Sequence, residues 1–110
     1  MRLLLVTGFL GPALFAQAQP TPKPDYDAAG KKAIEAHNYP EAVAAFRQAV
    51  SADPADFVAH FNLGYAYTLA GNDSAAVDEF KKVLELKPGV FEPQLNLGVT
   101  LLRLGRFPEA

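Results

Sequence analysis

Shifted by 34 residues, the chain lies over itself without a gap. Gly30, Gly64 and Gly98 coincide, as do Ala42, Ala76 and Ala110, Phe46 with Phe80, and Pro54 with Pro88. Leu63-Gly64 falls on Leu97-Gly98, Asn62 falls on Asn96, and Tyr39-Pro40-Glu41-Ala42 returns two periods later as Phe107-Pro108-Glu109-Ala110. A period of about 20–50 residues marks a stacked array. Each unit is one supersecondary motif whose apolar face is covered by its neighbour.

The middle unit shows what the motif is. From Phe57 to Ala70 the apolar residues Phe57, Phe61, Leu63, Tyr67 and Ala70 recur at helical spacing, and Gly71-Asn72 then stops the helix. Asp73 or Ser74 is placed to cap a second helix running to about Leu86, which Lys87-Pro88-Gly89 ends. In the outer units Pro40 and Pro108 stand just inside the second helix, where a missing backbone N–H costs nothing. Gly64 and Ala76 lack bulk, so two helix axes can approach toward the lower end of the ~8–10 Å range. Phe80 and Val83 are then expected to reach the next unit near Leu95, Gly98 and Val99, with the three glycines in equivalent places.

This period and residue set resemble the tetratricopeptide-repeat (TPR) family. The middle unit carries the pattern at His60, Leu63-Gly64, Tyr67, Ala76, Phe80, Val83 and Pro88. The first carries it at Tyr26, Ala29-Gly30, Ala33, Ala42, Phe46, Ala49 and Pro54, with alanine replacing larger residues at positions 29 and 33. The third has Gln94, Leu97-Gly98, Leu101 and Ala110. The resemblance implies an all-α helix-turn-helix solenoid, a right-handed superhelical array of about two and a half repeats. The repeats fall at about 23–56, 57–90 and a truncated 91–110, within a TPR domain over 25–110. Arrays of this kind normally need at least three repeats and a polar cap. Leu97, Leu101, Leu102 and Leu104 are therefore expected to have little cover, and the expectation is a fragment that continues into further repeats or another domain.

The N-terminus follows a different logic. Met1-Arg2 supplies a positive charge, Leu3 to Phe15 is an apolar run interrupted by Gly11-Pro12, and Ala16-Gln17-Ala18 has the small residues of a cleavage site. The run is shorter than the ~20 residues of a spanning helix, and it reads as a signal peptide over 1–18. Export to the periplasm or the cell exterior is the expectation, with no membrane span once the leader is removed. Residues 19–24 carry prolines at 20, 22 and 24 and read as an extended Pro-rich spacer.

Composition narrows the chemistry. With 110 residues, half of them apolar, there is room for one packed domain. Ten basic against twelve acidic residues give a net charge of −2, or −3 without Arg2, which argues against nucleic acid as a partner. The absence of cysteine excludes disulfides, thiolate metal sites and a cysteine nucleophile. His37 and His60 stand apart on different helices without metal-ligand spacing, so packing and turn roles are expected. Ser51 and Ser74 lie near helix boundaries and outside any nucleophile elbow. No glycine cluster is followed by the Lys-Ser/Thr of a phosphate loop. Asp78-Glu79 and Lys81-Lys82 are spaced as opposite-charge pairs on a solvated face. No catalytic residue, metal or cofactor is expected.

What remains is binding. The resemblance implies that the first helices line a concave surface for a protein or peptide partner. It places Asp27, Lys31 and Ile34 there in the first unit, Phe61, Asn62, Tyr65 and Leu69 in the second, and Leu95, Asn96, Val99 and Leu102 in the third. Asn62 and Asn96 each carry donors and acceptors suited to a ligand's backbone, or to tying neighbouring helices together. Some TPR domains hold a C-terminal carboxylate in a clamp of Lys, Arg and Asn. Its places fall here on Asp27, Lys31, Asn62, Glu92 and Asn96, so acids stand at two positions where a base is wanted. The resemblance thus implies an interaction scaffold with an apolar or helical peptide as ligand. The alternative is the docking or regulatory part of a larger enzyme, such as a peptidase or transferase, whose catalytic domain lies beyond residue 110.

Overall fold

The computed structural model describes residues 22–89 and 91–105. The leader at 1–18, the first half of the spacer, and the Phe107-Pro108-Glu109-Ala110 echo with Ala110 lie outside them. Five helices follow one another among the described residues: α1 Tyr26–Glu35, α2 Tyr39–Ala52, α3 Phe57–Leu69, α4 Asp73–Leu86 and α5 Phe91–Leu104. The boundaries come from side chains that satisfy the orphan backbone groups of helix ends. Asp25 accepts from the Ala28 N–H and Asp56 from the Val58 N–H, both at 2.9 Å. Asn38 accepts from the Glu41 N–H, and its own Nδ2 donates to Glu41 Oε2 at 2.7 Å. One period later Asn72 accepts from the Ala75 N–H. The cap of α4 is therefore Asn72, not Asp73 or Ser74 as expected, because an asparagine just after the stop serves the next helix.

The turns inside the first two units close in one way. The N–H of His37 donates to the Ile34 carbonyl and that of Asn38 to the Ala33 carbonyl; Gly71 to Thr68 and Asn72 to Tyr67 repeat the pair. Residues 37, 71 and 105 all have positive φ, at 58°, 82° and 69°. Between the units, Asp53 Oδ1 accepts from the Ala55 N–H and turns the chain around Pro54.

Each helix packs chiefly on the helices before and after it in the chain. The small residues act by admitting a ring. A Cβ built on Gly30 would stand 2.5 Å from two carbons of the Phe46 ring, and one on Gly64 would stand 2.7 Å from Phe80 Cε1. Each ring lies on a glycine of its own hairpin and is buried there. It also joins the next unit: Phe46 clusters with Leu63 and Ala66, and Phe80 with Leu97 and Leu101. Burying each ring contributes roughly 1.5–3 kcal/mol.

Two expectations are corrected here. Phe80 meets α5 at the buried Leu97 and Leu101 as well as beside Leu95 and Val99, and among the described residues no atom lies within 4 Å of a Cβ on Gly98, whereas Gly30 and Gly64 each seat a ring. Leu97 and Leu101 are covered rather than open, because α4 already supplies Ala76, Val77 and Phe80 to them, whereas Leu102 and Leu104 are exposed. Among the described residues no helix is long and apolar enough to cross a membrane.

Candidate functional site

The expected binding residues stand on α1, α3 and α5, and their partners divide them into two groups. On α1, Lys31 Nζ lies 2.7 Å from Asp27 Oδ2, one helical turn away. Asn62 on α3 donates from Nδ2 to the other oxygen, Asp27 Oδ1, at 2.7 Å. One of its two donors thus ties neighbouring units together. Ile34 is half-buried against the first core cluster. This part of the face is a closed polar network.

Between α3 and α5 the face is apolar and open. A hollow of about 180 Å³ is lined by Tyr65, Thr68, Phe80, Leu95, Asn96, Val99, Thr100 and Arg103. Beside it a wider dent of about 330 Å³ is lined by Phe61, Tyr65, Leu95 and Asn96. Phe61 is half-buried and leans on Phe80, ring centroids 5.8 Å apart, while Tyr65 is 43% exposed. The structure therefore brings Phe61, Tyr65, Asn96 and Val99 together. Leu69, half-buried, and Leu102, 51% exposed, line neither hollow.

Three lining residues were missed by sequence reasoning. Thr68 and Thr100 turn their hydroxyls back to the Gly64 and Asn96 carbonyls, at 3.0 and 2.8 Å. Each so places its donor within its own helix. Arg103 donates from Nε to Asp73 Oδ2 at 3.0 Å and from a terminal nitrogen to Asp73 Oδ1, a two-pronged pair between α5 and α4. The hydrogen bonds to Asp73 raise the Arg103 pKa, and the bond to Asp27 raises that of Lys31. Both cations of this face are thus matched. No repeat position signals the Arg103 pair, because it spans 30 residues and two helices.

Of the carboxylate-clamp positions, Asp27, Lys31 and Asn62 engage one another, and the Glu92 side chain lies outside the described residues. Lys31 is engaged by Asp27, and Asn62 donates to the same acid, so a ligand carboxylate at that place would meet a carboxylate. The histidines have other tasks. His60 is 6% exposed, with Nδ1 2.7 Å from Glu79 Oε2 and Nε2 2.7 Å from the Pro54 carbonyl oxygen. Glu79 is therefore not on the solvated face assigned to it. It fastens α4 to α3, and periodicity within one helix cannot show a pair that joins two. His37 sits in the α1–α2 turn, its Nδ1 2.9 Å from the Tyr39 hydroxyl. Among the described residues no three His, Asp or Glu side chains are grouped to hold a metal ion. Ser51 shares a shallow hollow on α2 with Ala44, Arg47 and Gln48, and Ser74 is exposed at the start of α4.

Known proteins are similar to this chain in sequence. DnaJ homolog subfamily C member 3 from Bos taurus is 32% identical over 81 residues, covering 74% of this chain and 16% of that protein. Protein STIP1 homolog from Dictyostelium discoideum is 32% identical over 81 residues, covering 74% of this chain and 14% of its own length. A tetratricopeptide repeat and J domain-containing co-chaperone from Cryptococcus neoformans is 27% identical over 73 residues, 66% of this chain and 14% of its own. The chain thus spans only about a sixth or a seventh of the length of these relatives. The family model for the tetratricopeptide repeat matches residues 28–91, from within α1 to the start of α5. That stretch holds both hairpins in which a phenylalanine is seated on a helix glycine, and on this ground the chain belongs to the tetratricopeptide-repeat family.

Proposed function

We propose that this chain is an interaction scaffold that holds a segment of another protein against the face formed by α3 and α5, without catalysis of its own. The observation that carries the reading is the pair of adjoining, mainly apolar hollows around Tyr65 and Asn96. Apolar area left open at a helix-lined concavity is suited to the apolar side of a partner. A relative named as a tetratricopeptide repeat and J domain-containing co-chaperone supports the same class of function. The binding residues are Phe61, Tyr65, Asn96 and Val99, with Leu69, Asn62 and Leu102 at the margin. The N-terminal charge, apolar run and Ala16-Gln17-Ala18 support export, with action in the periplasm or outside the cell.

The test uses the tagged chain and its Tyr65→Ala variant as bait for the proteins of the exported fraction. The wild type is expected to retain a partner that the variant, equally folded by circular dichroism, loses. N-terminal sequencing of the recovered bait is expected to begin at Gln19. Equal retention by both baits would contradict the site, and an intact Met1 would contradict cleavage.

A further inference from the structure

We infer that the hollow between α3 and α5 is an anchor pocket for one large uncharged side chain of a peptide, aromatic or branched aliphatic, and that it disfavours a free carboxylate. The inference rests on the groove reading above and names what that groove selects.

Size comes first. At about 180 Å³ the hollow is close to the ~150 Å³ of an apolar cavity known to take up benzene, and well below the ~300 Å³ at which small-molecule sites begin. It holds one side chain, not a cofactor. Its walls come from Tyr65, Leu95, Val99 and the edge of Phe80, and the hydroxyls of Thr68 and Thr100 are already bonded to their own helices. A polar or charged side chain entering it would lose water and find few partners there.

Charge gives the second half. The cation at the rim, Arg103, is held by Asp73 through two bonds, and Lys31 farther along the face is held by Asp27. Each cation is largely neutralised by its own acid, so a ligand carboxylate gains little there and also meets the Asp73 or Asp27 carboxylate, and the face is better complemented by a neutral segment. The wider dent at Phe61 adjoins the pocket across Tyr65, Leu95 and Asn96, so a neighbouring apolar residue of the same segment has a place to lie. Asn96, between the two hollows, offers an amide for the backbone of that segment.

Three small probes separate these terms: N-acetyl-phenylalanine amide, N-acetyl-alanine amide, and N-acetyl-phenylalanine with its carboxylate free. Each is titrated into the isotope-labelled full chain while backbone amide shifts are followed by NMR. The blocked phenylalanine is expected to shift Tyr65, Asn96, Val99 and Thr100, with the alanine probe weaker by on the order of tenfold or more. The free acid is expected to bind no better than the amide. Val99→Trp, which fills the hollow from an exposed position, is expected to abolish the shifts. Equal affinity for phenylalanine and alanine amides, a preference for the free acid, or no shift at these four residues overturns the inference. If bait capture still depends on Tyr65 in that event, the groove stands and only its anchor chemistry falls; if capture fails as well, the groove reading itself is lost.

Discussion

His37 holds a left-handed backbone, φ 58°, at the place where the other two units have Gly71 and Gly105. A side chain there costs about 1–2 kcal/mol relative to the right-handed region, and glycine is free of that cost. The hydrogen bond from the His37–Tyr39 pair is exposed and returns only part of it. His37→Gly is therefore expected to stabilise the chain by a net ~0.5–1 kcal/mol, since glycine's own backbone entropy takes back some of the gain. Thermal unfolding checks this: the midpoint should rise by a few degrees, and a fall would mean that the Tyr39 contact outweighs the strain. The shared turn lay hidden in the sequence because histidine interrupts an otherwise clear glycine register at 37, 71 and 105. Asn38 and Asn72 were in the same period, yet their capping role shows only once the helix starts are known. Glu79 was misread for a related reason: its spacing to Lys82 suggests a surface pair, while its carboxylate in fact meets a buried histidine across the hairpin.

At the scale of helices, the repeat works because a ring replaces the missing Cβ. Phe46 on Gly30 and Phe80 on Gly64 join the two helices of one hairpin and present their other edges to the next unit. The same substitution should consequently have opposite effects at two glycines of one register. Gly64→Ala drives a methyl to within 2.7 Å of a buried ring and is expected to destabilise by about 1–3 kcal/mol. Gly98→Ala meets nothing within 4 Å among the described residues and is expected to stabilise by up to about 1 kcal/mol through helix propensity. Denaturant unfolding of both variants decides it, and destabilisation at Gly98 equal to that at Gly64 would contradict the ring-seating account. The two helices of the middle unit were legible to within a few residues from apolar spacing and the Gly, Pro and Asn punctuation. The contact of Phe80 with Leu97 and Leu101 was not, because spacing gives a face and not the angle at which two faces meet.

At the scale of the molecule, a helical array divides its own surface into a polar end and an apolar stretch. The Asp27–Lys31–Asn62 network closes the α1 side, and the Arg103–Asp73 pair closes the far rim, leaving the hollows at Tyr65 and Asn96 between them. Of the residues that the sequence register put on the first-helix face, Phe61, Tyr65, Asn96 and Val99 line the hollows. The register could not show which residues already had partners, since Asn62 and Arg103 are engaged by acids 35 and 30 residues away. The central claim is that this face, and not the opposite one, meets another protein. Its most direct measurement is site-specific photo-crosslinking in living cells, with the photoreactive residue placed at Tyr65 or Val99 on the groove and at Gln48 on the outer side of α2. The account predicts a discrete crosslinked protein from positions 65 and 99 and none from 48. The same adduct from Gln48, or none from Tyr65 and Val99, would contradict it.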